Sequence, residues 1–208
     1  MDAQIFERED AAAYLEKVNG ILVPGGFGER GAEGKIAAAH FARTRNVPYF
    51  GICFGMQMAV LEAARHLASR MPPRRSSGWP GKPGVGLIPN GPRGSGKTRH
   101  PSDLGGTMRL GAYEAFWQKI RVWPIFMARV ISERHRHRYE VEHGVPREFG
   151  KNRVGVSGRQ TAYCPKFEIL NTRGSSGAVS SRIEIGPFAP HPFLLHFLGS
   201  GLAQARLV

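Results

Sequence analysis

Two short apolar runs, each ending in a glycine-rich turn and followed by a helix-like segment, constrain the fold of this chain most. Ile21-Leu22-Val23 runs into a Pro-Gly-Gly-Phe-Gly turn at 24–28, and the segment 47–52 runs into Cys53-Phe54-Gly55. Uniformly apolar runs of this length are typical of parallel strands, which are covered on both faces. Helices are predicted over 10–19, closed by Gly20, over 33–44, ending near Asn46, and over 56–69. This alternation of strands and helices indicates a doubly wound α/β domain.

Composition excludes several classes of protein. The 208 residues include 41% hydrophobic residues, a content that is ordinary for a globular protein and excludes wholesale disorder. No apolar run approaches the roughly 20 residues that span a bilayer, and the first residues do not resemble a secretory signal. Two cysteines, Cys53 and Cys164, do not make a disulfide framework. We therefore expect a soluble, cytoplasmic protein that does not bind membranes.

The turn Gly51-Ile52-Cys53-Phe54-Gly55 is a candidate catalytic element. A nucleophile at a strand-to-helix turn is lifted clear of the sheet, and flanking glycines let the backbone bend that sharply. The helix N-terminus is expected to lower the pKa of the thiol and favour the thiolate. The alternative is a buried structural cysteine. The glycine turn that begins at Gly25 could supply N–H donors to an oxyanion, or it could be an ordinary strand-end turn.

The residues around these turns resemble one family in particular. The segment GILVPGGFGERGAEGKIAAAHFARTRNVPYFGICFGMQMAVLEAARHLA is similar to the class I glutamine amidotransferase domain of CTP synthases. Three further blocks are similar to that family and follow its order: DLGGTMRLGA at 103–112, ISERHRHRYEV at 131–141 and PFAPHP at 187–192. The resemblance covers roughly half of the chain, in blocks, and implies an α/β fold of the flavodoxin-like, doubly wound type.

The resemblance also implies an activity and the residues that carry it. The family domain hydrolyses L-glutamine and passes ammonia to a synthetase domain, which aminates UTP with ATP and Mg²⁺ for pyrimidine nucleotide biosynthesis. Cys53 would be the nucleophile, with Gly26 and the N–H of Phe54 as the oxyanion hole. The glutamine pocket would be lined by Phe54, Gly55, Met56 and Gln57, and Arg138 would hold the substrate. The resemblance implies no metal or cofactor in this chain and a homo-oligomeric assembly.

The sequence departs from the family pattern at essential positions. It contains no His-Pro-Glu, the motif that supplies the family's general base, and without an oriented imidazole the leaving ammonia lacks a proton donor. It has no glutamate between positions 70 and 101, where the family binds the substrate amine. The family's first amidotransferase strand and its synthetase domain are also not found in this sequence. We therefore expect no useful glutaminase activity from the chain as written.

Back-translation places the missing motifs in other reading frames. Residues 177–185 can be read as VQFHPELKS after a shift of one base, and the lost His-Pro-Glu then falls on Ser180, Ser181 and Arg182. The opposite shift gives four more family-like strings in the family's order: STEFG at 73–78, SVADIYGA at 121–129, PDGLLPEI at 159–167 and HPWFIG at 171–177. We therefore interpret the coding DNA as carrying several small insertions or deletions.

This hypothesis divides one partial amidotransferase domain over residues 1–208 into two kinds of segment. Those expected to be native-like are 10–69, 103–114, 131–142 and 187–208, and those suspected to be out of frame are 70–102, 115–130 and 145–186. The shifted codons would account for much of the formal charge of +13. They would also make Cys164 an accident of frame, degrade the C-terminal half of the fold and lower its solubility.

Two other functions remain open. Residues 70–101 carry seven Lys or Arg and no Asp or Glu, so they could form an arm that binds nucleic acid. The chain could instead be a non-catalytic relative that keeps the glutamine pocket and Arg138. A phosphate-binding loop at 91–98 matches in pattern, but the Pro and glycines after Thr98 do not favour the required helix. In the run Arg134-His135-Arg136-His137-Arg138 the arginines would repel a metal cation, and Tyr139 is nearly the only aromatic residue interleaved with the charge.

Overall fold

The structure is a computed structural model, and it describes residues 1–26, 30–67, 87–89, 109–117, 130–137, 139–141, 154–160, 164–169, 176–179 and 192–205. A 3₁₀ turn, Ala3–Glu7, precedes the first α-helix. The helices in the described residues are α1 (Ala11–Leu15), α2 (Ala32–Arg45), α3 (Phe54–Leu67) and α4 (Pro192–Ala205). The strands are β1 (Ile21–Val23), β2 (Tyr49–Ile52), β3 (Leu87–Pro89), β4 (Arg109–Trp117), β5 (Val130–His137), β6 (Tyr139–Val141), β7 (Val154–Gln160), β8 (Cys164–Ile169) and β9 (Ser176–Val179).

Seven of the described strands form one mixed sheet in the order β1-β2-β9-β8-β7-β4-β5. The strands β1, β2 and β9 run parallel, whereas β9-β8, β8-β7, β7-β4 and β4-β5 pair antiparallel. The strands β3 and β6 form a separate antiparallel pair. The parallel part therefore contains both apolar runs that the sequence singles out, and the helix α2 joins them.

Helices cover both faces of the parallel strands. Ile21 and Val23 are buried with α2 and α3 in the main hydrophobic cluster, while Leu22 between them is 42% exposed. Leu22 is in register with Phe50, which is fully buried outside that cluster and stacks on Phe197 of α4 at a centroid distance of 5.8 Å. Because side chains alternate along a strand, α4 lies on the opposite face from α2 and α3. This arrangement agrees with the doubly wound prediction.

Element boundaries differ from the sequence predictions in two places. The helix expected over 10–19 spans Ala11–Leu15, where the Asp10 carboxylate accepts a hydrogen bond from the Ala12 N–H at 3.0 Å. The helix expected over 56–69 starts two residues earlier, at Phe54, directly after Cys53. Asn46 ends α2 in the left-handed conformation, with φ at 56°. That end was predicted, because Asn tolerates this conformation better than most residues.

Several predictions fall wholly or partly outside the described residues. The basic segment 70–101 is described only over β3, and the candidate phosphate-binding loop at 91–98 lies outside the described residues. Positions 134–137 lie in β5, and Arg138 falls between β5 and β6, outside the described residues. A search of the described residues finds no helix long and apolar enough to span a membrane.

Candidate functional site

The backbone conformation of Cys53 marks the strand-to-helix turn as special. Its φ is 52°, in the left-handed region that L side chains rarely adopt, and it stands between the last residue of β2 and the first of α3. Such a conformation costs roughly 1–2 kcal/mol and persists only where surrounding structure enforces it. A cysteine held this way at the carboxyl end of a parallel strand has the geometry of a nucleophile elbow.

Two glycines permit this turn by allowing backbone to approach backbone. A Cβ on Gly51 would lie 2.7 Å from the carbonyl carbon of Gly55 and from the nitrogen of Met56. A Cβ on Gly55 would lie 2.1 Å from the carbonyl oxygen of Val23. Both distances are far below contact, so neither position accommodates a larger residue unless the backbone moves. The prediction that flanking glycines allow the sharp bend agrees with this geometry.

The glycine turn after β1 lies against the cysteine. A Cβ on Gly25 would meet Cβ of Cys53 at 3.4 Å and its Sγ at 4.0 Å. A Cβ on Gly26 would lie 3.9 Å from Cδ1 of Phe54 and 3.8 Å from Nζ of Lys35. The structure therefore brings together the two turns that the resemblance assigns to one site. The assignment of Gly26 and Phe54 to an oxyanion hole remains a prediction.

The environment of the Cys53 thiol does not favour the thiolate. Burial raises the pKa of Cys53, and a hydrogen bond with the backbone of Phe54 lowers it by less, so that the pKa lies above its ordinary value. The lowering expected at the helix N-terminus is present, through the backbone of Phe54, but desolvation outweighs it, so the expectation that the thiolate is favoured is wrong for this chain. Cys53 needs a base to become nucleophilic at neutral pH.

The residues after Cys53 are buried. Phe54, Met56 and Gln57 are each 2% exposed, and Gly55 is packed against Val23. These are the residues that the resemblance assigns to a glutamine pocket, an assignment that stays a prediction. Arg138, the residue predicted to hold the substrate, lies outside the described residues.

The strand β9 ends beside the elbow. It pairs with β2 in parallel register, with Gly177 opposite Phe50, Ala178 opposite Gly51 and Val179 opposite Ile52. Since carboxyl ends of parallel strands meet at one edge of a sheet, β9 ends at the level of the residue before Cys53. In the sequence, Val179 is followed by Ser180, Ser181 and Arg182, which lie outside the described residues.

Sequence reasoning missed three groups near the elbow. Lys35, in the first turns of α2, places Nζ 4.9 Å from the centroid of the Phe54 ring. The buried Tyr49 hydroxyl donates to the Gly55 carbonyl at 2.8 Å, and burial followed by the charge of Glu62 raises the pKa of Tyr49. Glu62 itself is fully buried and accepts hydrogen bonds from Arg43. No periodicity marks these positions, and the contacts of Lys35 with Phe54 and of Glu62 with Arg43 each join residues from different helices.

Metal-binding residues do not cluster in the described part of the chain. A search there finds no group of three or more His, Cys, Asp or Glu residues that could hold a metal ion. The polar groups that the described residues place at or near the elbow include the Cys53 thiol, the Lys35 ammonium and the Tyr49 hydroxyl.

A protein-family comparison covers the part of the chain that contains the elbow and the parallel strands. The model of the family described as "Glutamine amidotransferase class-I" matches residues 1–171, which include Gly26, Cys53 and the parallel strands β1 and β2. This chain belongs to the class I glutamine amidotransferase family. The fold class expected from the resemblance is thereby confirmed.

Within that family the chain is similar to CTP synthases. It is 50% identical over 216 aligned positions to the CTP synthase of Rhodospirillum rubrum and 47% identical to that of Rhodopseudomonas palustris strain BisB18, with 100% of this chain and 40% of each relative covered. The chain thus spans 40% of the length of these relatives.

One solved structure shows the same relationship, and a second shows the same fold. The glutaminase domain of Trypanosoma brucei CTPS with bound acivicin superposes with a TM-score of 0.74 at 27% identity, covering 98% of this chain and 79% of that one. A putative GMP synthase subunit from Thermoplasma acidophilum superposes with a TM-score of 0.60 at 13% identity, which shows a shared fold alone. The resemblance to the amidotransferase domain of CTP synthases is confirmed.

Proposed function

We propose that this chain is the glutamine-hydrolysing domain of a CTP synthase in which the nucleophile is kept and the general base is lost. The observation that carries the proposal is the elbow: Cys53 at a φ of 52°, with the Gly25–Gly26 turn against its side chain. Its substrate would be L-glutamine. Its partner would be a synthetase domain that uses UTP, ATP and Mg²⁺, and its location would be the cytoplasm.

The reaction that this geometry supports begins at the sulfur. The Cys53 thiolate adds to the carboxamide carbon of glutamine, and the C–S bond forms while the carbonyl electron pair moves to oxygen. Backbone N–H groups of Gly26 and Phe54 would stabilise that oxyanion. Its collapse expels ammonia only if an acid protonates the leaving nitrogen, and water then hydrolyses the thioester to glutamate.

The position of β9 supports the proposal that the missing base would follow this strand, next to Cys53. A group that takes the Cys53 proton and returns it to the leaving nitrogen must lie within hydrogen-bond reach of both. The strand β9 ends at the level of Ile52, and the next residue in the sequence is Ser180, the position onto which the lost histidine falls. A serine at neutral pH neither accepts nor donates that proton efficiently. With a raised Cys53 pKa, the chain as written is expected to be inactive.

The test compares the chain as written with a frame-restored domain. The restored domain is translated in a single corrected frame across the segments 70–102, 115–130 and 145–186, so that it contains the strings STEFG, SVADIYGA, PDGLLPEI, HPWFIG and VQFHPELKS in that order. We expect ammonia release from L-glutamine by the restored domain and none above background by the chain as written. Cys53→Ser in the restored domain is expected to abolish the release. Alanine in place of the restored histidine should lower it by about 10²–10⁴-fold, the usual contribution of a general acid–base.

Two results would contradict the proposal. One is glutamine hydrolysis by the chain as written that depends on Cys53, which would show that no base is missing. The other is a restored domain that folds but releases ammonia equally well with Cys53→Ser, which would place the nucleophile elsewhere.

A further inference from the structure

Lys35 is a cationic side chain that lies close to both candidate oxyanion residues, Gly26 and Phe54. Its Nζ lies 3.8 Å from where a Cβ on Gly26 would stand and 4.9 Å from the ring centroid of Phe54. The same nitrogen donates a hydrogen bond to the carbonyl oxygen of Arg30 at 3.4 Å. The ammonium is thus held against the turn after β1 and the first residue of α3 together.

The charges around Lys35 leave its ammonium available to the site. The Arg–carboxylate ion pairs of the described residues join Arg30 to Asp2, Arg43 to Glu62 and Arg65 to Glu33, and Lys35 takes part in none of them. Asp2 and Glu7 act on Lys35 through space and raise its pKa, while burial, the larger effect, lowers it. No described carboxylate binds this half-buried ammonium. It therefore produces a stronger positive electrostatic potential at neighbouring atoms than an ammonium in an ion pair would.

We propose that Lys35 supplies the positive potential of the Cys53 site and stabilises the negative oxygen that forms on the Gly26 and Phe54 side when the sulfur adds to a carboxamide. The catalytic part of this proposal, stabilisation of the oxyanion by Lys35, rests on the proposed function. The potential itself is a property of the chain as written, and it requires neither the missing base nor a bound substrate. Backbone N–H groups would donate to the oxygen directly, and Lys35 would act on it through space.

The test measures the potential at Cys53 with two alkylating reagents of similar size. Iodoacetate is an anion and iodoacetamide is neutral; both react with the thiolate and release iodide, so the ratio of their rate constants cancels the thiolate fraction. Peptide mass spectrometry reads Cys53 separately from Cys164. In Lys35→Met, which keeps a linear side chain over the Phe54 ring, we expect the iodoacetate-to-iodoacetamide ratio to fall roughly threefold.

Three controls make the result specific. Lys17→Met removes the same charge from an exposed position that no described contact links to Cys53, and its ratio should stay at the parental value. Lys35→Arg keeps the charge and should keep the ratio, whereas Lys35→Gln should behave as Lys35→Met. In concentrated guanidinium the ratios of all variants should coincide, because the folded site is gone.

Three results would overturn the proposal for Lys35. An unchanged ratio in both Lys35→Met and Lys35→Gln would overturn the proposal, and so would an equal fall in Lys17→Met, which would indicate net charge alone. A low ratio in Lys35→Arg, which keeps the charge, would also overturn it, because the effect of Lys35 would then come from its packing and not from its charge. None of these readouts uses glutamine, so they are separate from the ammonia assay. If the restored domain failed to hydrolyse glutamine, the proposed function would fail, but the alkylation ratios would still test the potential at Cys53.

Discussion

At the scale of single residues, the elbow depends on a glycine at position 55. A Cβ there would lie 2.1 Å from the carbonyl oxygen of Val23, a backbone atom that cannot rotate away. We expect Gly55→Ala to destabilise the N-terminal core by about 3 kcal/mol, the upper part of the usual overpacking range, since α3 and β1 must separate. The measurement is the urea midpoint at which the rate of Cys53 alkylation by iodoacetamide rises from its folded to its unfolded value, read by peptide mass spectrometry.

A glycine in α4 provides the matched control. Nothing lies within 4 Å of a Cβ on Gly199, so Gly199→Ala removes a flexible residue from a helix without a clash. It should be neutral or stabilising by up to about 1 kcal/mol. An equal loss of stability in the two variants would show that the close approach of α3 to β1 is not what constrains position 55.

At the scale of elements, a buried carboxylate joins α2 to α3. Glu62 of α3 is fully buried, and the Arg43 guanidinium of α2 donates to both of its oxygens at 2.7–3.1 Å. We expect Arg43→Met to cost about 3 kcal/mol, because it leaves a buried charge with less compensation. The contact of Glu62 with His40 Nδ1, at 2.8 Å, remains in that variant. The urea midpoint of Cys53 exposure measures the change.

A second ion pair between the same helices serves as the comparison. Arg65 of α3 binds Glu33 of α2 at 2.8 Å, with side chains 25% and 37% exposed. Because water screens this pair, Arg65→Met should cost no more than about 1 kcal/mol. If the two variants lose similar stability, burial of Glu62 is not the cause of the larger expected effect.

The extent to which sequence predicted these elements follows from the range of the interactions involved. The strand Ile21–Val23, the elbow glycines and the Asn46 end of α2 are local patterns, and they were predicted correctly. The burial that raises the Cys53 pKa and the approach of Lys35 to Phe54 involve residues distant in the chain, and no local pattern contains them. The antiparallel strands from β4 to β8 were likewise not predicted, because their pairing depends on long-range register.

At the scale of the whole molecule, the hypothesis of shifted reading frames makes a prediction about cooperativity. A sequence folds cooperatively when local preference and global fold agree along its whole length. Segments translated out of frame would not meet that condition, whereas the core of β1, β2, α2 and α3 is drawn from segments expected to be in frame. We therefore expect the chain as written to unfold over a broad temperature range, and the frame-restored domain to unfold in one sharp transition with higher solubility.

Calorimetry of the two proteins decides between this hypothesis and that of a genuine basic binding protein. For the restored domain, the calorimetric and van't Hoff enthalpies should agree, and for the chain as written the van't Hoff value should be the smaller, because its segments unfold separately. A sharp two-state transition in the chain as written would mean that residues 70–102, 115–130 and 145–186 belong to its fold. Accurate sequencing of the coding DNA across codons 65–190 would then show one uninterrupted frame. The absence of His-Pro-Glu would be a property of a working protein that keeps the Cys53 elbow without glutamine hydrolysis.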